Sequence, residues 1–227
     1  MCERGPFPEI PGPRSGGMRD IMLGFYNVSV ILTYIGLCSA VCGMGLAMNG
    51  HPGISVALLL FCGVCDMFDG TIARATKRSE DAKVFGIQID SLCDMVCFGA
   101  YPAVFAFSVG VDGWFGYIAM CLYVLGAVIR LGYFNVIEQK RQQETEEEKS
   151  LFHGLPVTTA AYLLPIYYLF RRAIGELFVP GLAIFMFAMA VLFVLDIGIR
   201  NPRWKYARYV VAAVMILAAL AILIFAI

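Results

Sequence analysis

Four aspartates stand inside otherwise apolar sequence, in the order Asp66-Met-Phe-Asp69-Gly70-Thr-Ile-Ala73-Arg74 and then Gly86-Ile-Gln-Ile-Asp90-Ser-Leu-Cys-Asp94. A carboxylate at membrane depth is costly and persists only when paired, hydrated or bound to a cation. Asp66 and Asp69 are spaced i,i+3 and Asp90 and Asp94 i,i+4, so each pair lies on one face of its helix. Two such helices, each with a glycine beside its carboxylates, form a compact cage of oxygens. Hard divalent cations such as Mg²⁺ or Mn²⁺ want that ligand set. The plainer alternatives are a structural ion pair, or a cation or proton path through a transporter.

The elements that carry these residues follow from hydropathy. The chain has 227 residues, 60% of them hydrophobic and 15% charged, with a mean hydropathy of +0.77. Soluble domains average about 25% charged, so the composition is that of a membrane protein. The formal net charge of zero argues against a nucleic-acid partner. A membrane span needs about 20 apolar residues, and candidates fall at 24–48, 54–75, 85–110, 114–136, 156–171, 177–198 and 206–227. The expected fold is therefore an all-α polytopic bundle. Residues 1–23 are expected to be a disordered or interfacial segment without a cleavable signal, and 24–227 a single transmembrane domain. The polar run from Gln139 to Lys149 is expected to prolong the fourth helix into solvent. Of eight cysteines, Cys38, Cys42, Cys62, Cys65, Cys93, Cys97 and Cys121 fall in apolar segments. There they read as small packing residues, and the lone Cys62-Gly-Val-Cys65 spacing adds no redox or zinc site.

Loop charge orients the bundle. Arg14 and Arg19, then Lys77, Arg78 and Lys83, then Lys140, Arg141 and Lys149, then Arg200, Arg203, Lys205 and Arg208 alternate with nearly uncharged turns. This puts the amino terminus in the cytoplasm and both aspartate pairs within one to two turns of the cytoplasmic surface, open to a soluble substrate and a lipid headgroup alike. Arg171 and Arg172 go against the pattern, so either the fifth segment is a short or tilted span or this loop is an exception. Gly70 and Gly86 let helices approach, and the same small size admits a ligand. Arg74, beside a metal cage, suits a phosphate contact better than simple snorkelling.

At these residues the chain resembles the CDP-alcohol phosphatidyltransferase superfamily, whose signature is D-x2-D-G-x2-A-R, a variable gap, then G-x3-D-x3-D; every fixed position is matched. The resemblance implies six core membrane helices, here with about one further span, a divalent-metal site of two ions, and transfer of a phosphatidyl-type group from a CDP-linked lipid with release of CMP. It implies that Asp66, Asp69 and Asp90 ligate metal and that Asp94 completes the site and serves as general base. Gly70, Ala73, Arg74 and Gly86 would lie against the nucleotide and its phosphates, with Thr33 as a looser match near the amino terminus. The chemistry agrees: a leaving CMP needs charge neutralised on the diphosphate, and an alcohol needs a base in reach.

The flanking sequence narrows the acceptor. Residues 90–102 resemble the D-S-L-x-D-x-V-S-F-G-x-x-P stretch of membrane-bound phosphatidylserine synthases, with Cys97 in place of the family's Ser. Arg130-Leu-Gly-Tyr133-Phe-Asn135-Val is similar to that family's R-L-A-R-F-N-V, Phe152-His153-Gly154-Leu155-Pro156 to its F-x-G-L-P, and Ile199-Arg200-Asn201-Pro202 to its I-R-Y-P. The resemblance implies CDP-diacylglycerol and L-serine as substrates and a homodimer as the assembly. A zwitterionic acceptor needs a cation for its carboxylate and acceptors for its ammonium. Arg130 and Asn135 suit that need, with Ser91 near Asp90 and Asp94; against this, Arg130 could tie its helix to the carboxylates and Ser91 could bond back to its own helix. Glycerol 3-phosphate or an inositol phosphate would demand a further basic cluster, which the motif region lacks. A transporter would be expected to show broken helices in matching halves, and the chain carries no such repeat.

Overall fold

Asn27 opens the first helix by accepting a hydrogen bond from the Val30 N–H at 3.1 Å, which satisfies one of the donors a helix start leaves over. The computed structural model describes residues 24, 27–76, 79–143, 152–153, 155–196 and 198–199. From Asn27, α1 runs over Val28–Met48 and α2 over Pro52–Ala75, the latter begun by a proline where a missing N–H is no loss. Ser79 caps α3 (Glu80–Asp94) through the Ala82 N–H at 3.3 Å. Without interruption α3 passes through a π-helical turn, Met95–Ala100, into α4 (Tyr101–Ser108). Gly110 and Gly113, at φ of 99° and 70°, turn the chain into α5 (Gly113–Gln143); these left-handed angles are ones that side chains rarely adopt.

Among the described residues, five stretches are long and apolar enough to cross a membrane: Val28–Met48, Pro52–Ala73, Asp81–Ser108, Gly113–Glu138 and Arg171–Val194. The multi-pass, all-α bundle expected from hydropathy is what forms. The fifth candidate span differs. Residues 156–171 yield only a 3₁₀ turn (Val157–Thr159) and the 10-residue α6 (Ala160–Leu169), which contains Pro165. That is shorter than a full span of about 20 residues, as the short-span alternative for this segment allows. A short α7 (Arg171–Ile174) leads through Gly175 and a 3₁₀ turn into α8 (Phe178–Val194). Arg171, which ran against the loop-charge pattern, rests over the Tyr168 ring with its guanidinium carbon 4.3 Å from the centroid, a favourable cation–π placement. The polar run after the fourth span prolongs α5 as far as Gln143, and its residues 144–149 lie outside the described residues. Residues 1–23 and the seventh candidate, 206–227, lie outside the described residues.

Small residues bring the helices together. Gly36, Ala40, Gly43 and Ala47 are buried along one face of α1, and Gly126 of α5 meets the backbone of Ala190 in α8. Close backbone approach of this kind drives helix association in lipid. Gly43 is the tightest point: a Cβ there would lie 1.8 Å from the Tyr101 hydroxyl. Tyr101 is fully buried, and its hydroxyl donates to the Ser55 carbonyl at 2.5 Å, so the ring has nowhere to go. Gly43→Ala is expected to destabilise the protein by about 3 kcal/mol, read as a lower midpoint of thermal unfolding in detergent. Gly45→Ala, where a Cβ meets nothing within 4 Å, is the control and should leave the midpoint unchanged.

Beyond the helices, β1 (Phe152–His153) and β2 (Gly198–Ile199) pair antiparallel, Phe152 opposite Ile199 and His153 opposite Gly198. This short clip joins the chain leaving α5 to the chain leaving α8, at the end of the bundle where α2 stops and α3 starts.

Candidate active site

Helical periodicity in α2 and α3 turns the two aspartate pairs toward one another. Asp66, Asp90 and Asp94, each partly buried, offer carboxylate oxygens that lie within 4.8 Å of one another. Three negative groups this close repel strongly in a low-dielectric site. The set consists of hard oxygen donors only, drawn from two rigid helices, and so fits a Mg²⁺ or Mn²⁺ ion.

Asp69 behaves differently from its three companions. It is 2% exposed, and its Oδ2 accepts a 2.6 Å hydrogen bond from the Thr33 hydroxyl of α1. The same hydroxyl lies 3.1 Å from the Ser29 carbonyl, and the Ser29 hydroxyl donates to the Asp69 carbonyl at 3.2 Å. One helix therefore clamps both the side chain and the backbone of Asp69. The fourfold cage expected from spacing takes shape as a convergent triad with Asp69 beside it, held from α1.

The carboxylates line a cavity of about 700 Å³, large enough for a nucleotide headgroup. Gly70 and Ala73 of α2, Gly86 of α3 and Thr33 of α1 form part of its wall, as do Ser91, Arg130 and Asn135. The structure thus gathers the residues singled out for both substrates around one space. Arg74 follows Ala73 on α2, and its side chain lies outside the described residues. On the α5 side, the Ser91 hydroxyl donates to Asn135 Oδ1 at 2.6 Å, so Ser91 reaches across to another helix instead of bonding back to its own. Arg130 is 7% exposed, and its Nε donates to the Leu155 carbonyl at 3.1 Å.

Some of the wall was not expected. Pro156, Val157 and Thr158 also line the cavity, as do Lys83 and Glu138. Lys83 and Glu138 were visible in the sequence only as loop and helix-end charges. Directly after Asp94 comes the π-helical turn, whose Phe98 carbonyl accepts a 2.6 Å bond from the buried Tyr123 hydroxyl of α5. Turns of this type leave carbonyls in need of partners and occur often at functional sites. Beneath the triad, Cys62, Cys65, Cys93 and Cys97 are buried as free thiols, and Cys62 donates to the Gly36 carbonyl at 3.2 Å, in keeping with packing.

A helical membrane scaffold, a carboxylate triad and a headgroup-sized cavity thus coincide in one place. The profile of the CDP-alcohol phosphatidyltransferase family matches residues 26–195, and the chain belongs to that family. It is similar to the CDP-diacylglycerol–serine O-phosphatidyltransferase of Saccharomyces cerevisiae, at 31% identity over 162 residues, which cover 69% of this chain and 57% of that protein. The archaetidylserine synthase of Methanothermobacter thermautotrophicus is 33% identical over 148 residues, 64% of this chain and 59% of that one. A further serine O-phosphatidyltransferase, from Helicobacter pylori, is 32% identical over 149 residues, with 64% and 59% covered. The matched region spans less than three-fifths of each of these relatives.

Proposed function

We propose that the protein is a phosphatidylserine synthase, which transfers the phosphatidyl group of CDP-diacylglycerol to L-serine and gives phosphatidylserine and CMP. The observation that carries this reading is the convergence of Asp66, Asp90 and Asp94 in one cavity with a polar wall opposite. The three relatives are all named as serine-transferring or serine-lipid synthases, which supports serine as the acceptor. We assign residues 24–227 to a single catalytic domain, with its site at the cytoplasmic face, and extend the family resemblance to a homodimer.

In this reading the serine hydroxyl attacks the phosphorus that bears the diacylglycerol, an O–P bond forms, and the P–O bond to CMP breaks. Asp94 takes the hydroxyl proton and later passes it to water. Gly70, Ala73, Arg74 and Gly86 lie along the nucleotide and diphosphate, and Thr33 keeps Asp69 oriented beside them. Arg130 faces the serine carboxylate, and the Ser91–Asn135 pair supplies oxygens for the ammonium. Held by Asp66, Asp69, Asp90 and Asp94, Mg²⁺ or Mn²⁺ would neutralise the diphosphate charge that builds as CMP leaves.

The test is CMP release by purified protein given CDP-diacylglycerol and Mn²⁺ or Mg²⁺, with serine, glycerol 3-phosphate or inositol phosphate supplied in turn. Release with serine is expected. Release only with a phosphorylated acceptor would overturn the serine assignment, and no release with any of them would overturn the transferase reading.

A further inference from the structure

From Glu80 to Ser108 the chain is helical throughout, although Pro102 lies inside that stretch. Proline has no N–H, and its ring crowds the carbonyl four residues earlier, here that of Phe98. The helix widens at this point: the Tyr101 N–H reaches back five residues, to the Val96 carbonyl, at the end of the π-helical turn. The Phe98 carbonyl is thereby denied its ordinary α-helical donor, in a residue only 1% exposed. An acceptor left unmet at that depth is costly. The donor it takes is the Tyr123 hydroxyl of α5, at 2.6 Å. Tyr123 is fully buried, and the Phe193 ring of α8 backs it at 5.4 Å between centroids.

A second bond joins the same two parts of the bundle. Asn135 of α5 accepts from the Ser91 hydroxyl of α3 at 2.6 Å. Asp94 stands between the two tethers, three residues after Ser91 and four before Phe98. Ala127, one turn on from Tyr123, keeps α5 close to the turn, since a Cβ added at Gly99 would lie 3.4 Å from its own. Asp94 and Phe98 also line one small cavity beneath the triad. What holds the turn therefore holds the end of the helix that carries Asp94.

We propose that Tyr123 is a positioning residue for Asp94: by capping the carbonyl that Pro102 deprives of a donor, it fixes the end of α3 and with it the aim of the Asp94 carboxylate. The catalytic consequence rests on the reading of Asp94 as general base; the hold of Tyr123 on the turn does not.

Tyr123→Phe removes the hydroxyl and keeps the ring. Per folded molecule, kcat is expected to fall by about 10- to 100-fold, the cost of misplacing a reacting group by up to about 1 Å. KM for the CDP-lipid and for the acceptor should stay within about twofold of the wild type. Tyr167→Phe deletes a bond of the same kind, 2.9 Å to the Phe178 carbonyl, between α6 and α8, and should leave kcat unchanged. A coupling measurement separates positioning from mere loss of folded protein. In an Asp94→Asn background, Tyr123→Phe is expected to change the residual rate by less than about twofold, because groups that act through one another are not additive. Hydrogen–deuterium exchange needs no turnover: Tyr123→Phe should speed it in peptides covering 91–104, and Tyr167→Phe should not. An equal fall in rate in both backgrounds, an unchanged kcat in Tyr123→Phe, or unaltered exchange over 91–104 overturns the proposal. No turnover in the wild type, or full turnover in Asp94→Asn, ends the catalytic reading alone, and exchange over 91–104 then decides whether Tyr123 holds the turn.

Discussion

Asp94→Asn is expected to lower CMP release by about 10²- to 10⁴-fold, the usual contribution of a positioned general base. The substitution keeps size and shape and removes the charge and the basicity. Asp94 stands where α3 gives way to the π-helical turn, within 4.8 Å of carboxylate oxygens of Asp66 and Asp90. Asp66, Asp69 and Asp90 thus remain to hold a cation when Asp94 is neutral. Binding of CDP-diacylglycerol by the variant is accordingly expected to persist, measured by equilibrium binding of labelled lipid in detergent. If lipid binding and turnover are lost together, Asp94 is chiefly a metal ligand and the base lies elsewhere.

Stripping divalent cations with a chelator is expected to bring turnover to background, and adding back Mn²⁺ or Mg²⁺ to restore it. The reason is the triad itself. Three carboxylate oxygens within 4.8 Å of one another repel, and the same repulsion would be felt by an incoming diphosphate. A readout independent of catalysis accompanies this one. A ligand at 100 times its dissociation constant stabilises the form that binds it by about 2.7 kcal/mol, so the thermal midpoint should rise with added Mn²⁺ and fall with chelator. Asp66→Ala and Asp90→Ala should each blunt that rise. Undiminished turnover in chelator, or a midpoint indifferent to the cation in the wild type, would falsify the metal assignment.

Much of this site is legible in the sequence alone. Aspartates at i,i+3 and i,i+4 in apolar helices are bound to share faces, and hydropathy marks the helices that carry them. What escaped has a physical reason in each case. The separation of Asp69 from the triad depends on Thr33, 36 residues away in sequence, and no local period reports a contact between helices. A two-residue ladder such as Phe152–His153 with Gly198–Ile199 is too short to leave an alternating pattern. The bond from Ser91 to Asn135 joins α3 to α5 across 44 residues of sequence, a contact that no local period reports.

The π-helical turn at Met95–Ala100 has a consequence for how relatives compare with this chain. A π-turn is what a helix becomes when it takes in one residue without gaining a turn, and each residue of an α-helix rotates the chain by about 100°. A relative whose third span runs as unbroken α-helix would need one residue fewer between its last aspartate and the counterpart of Tyr101 to present the same faces. Aligned without that gap, every position from Tyr101 to Ser108 would be matched to one on the wrong side of the helix, and lipid-facing residues would be mistaken for core.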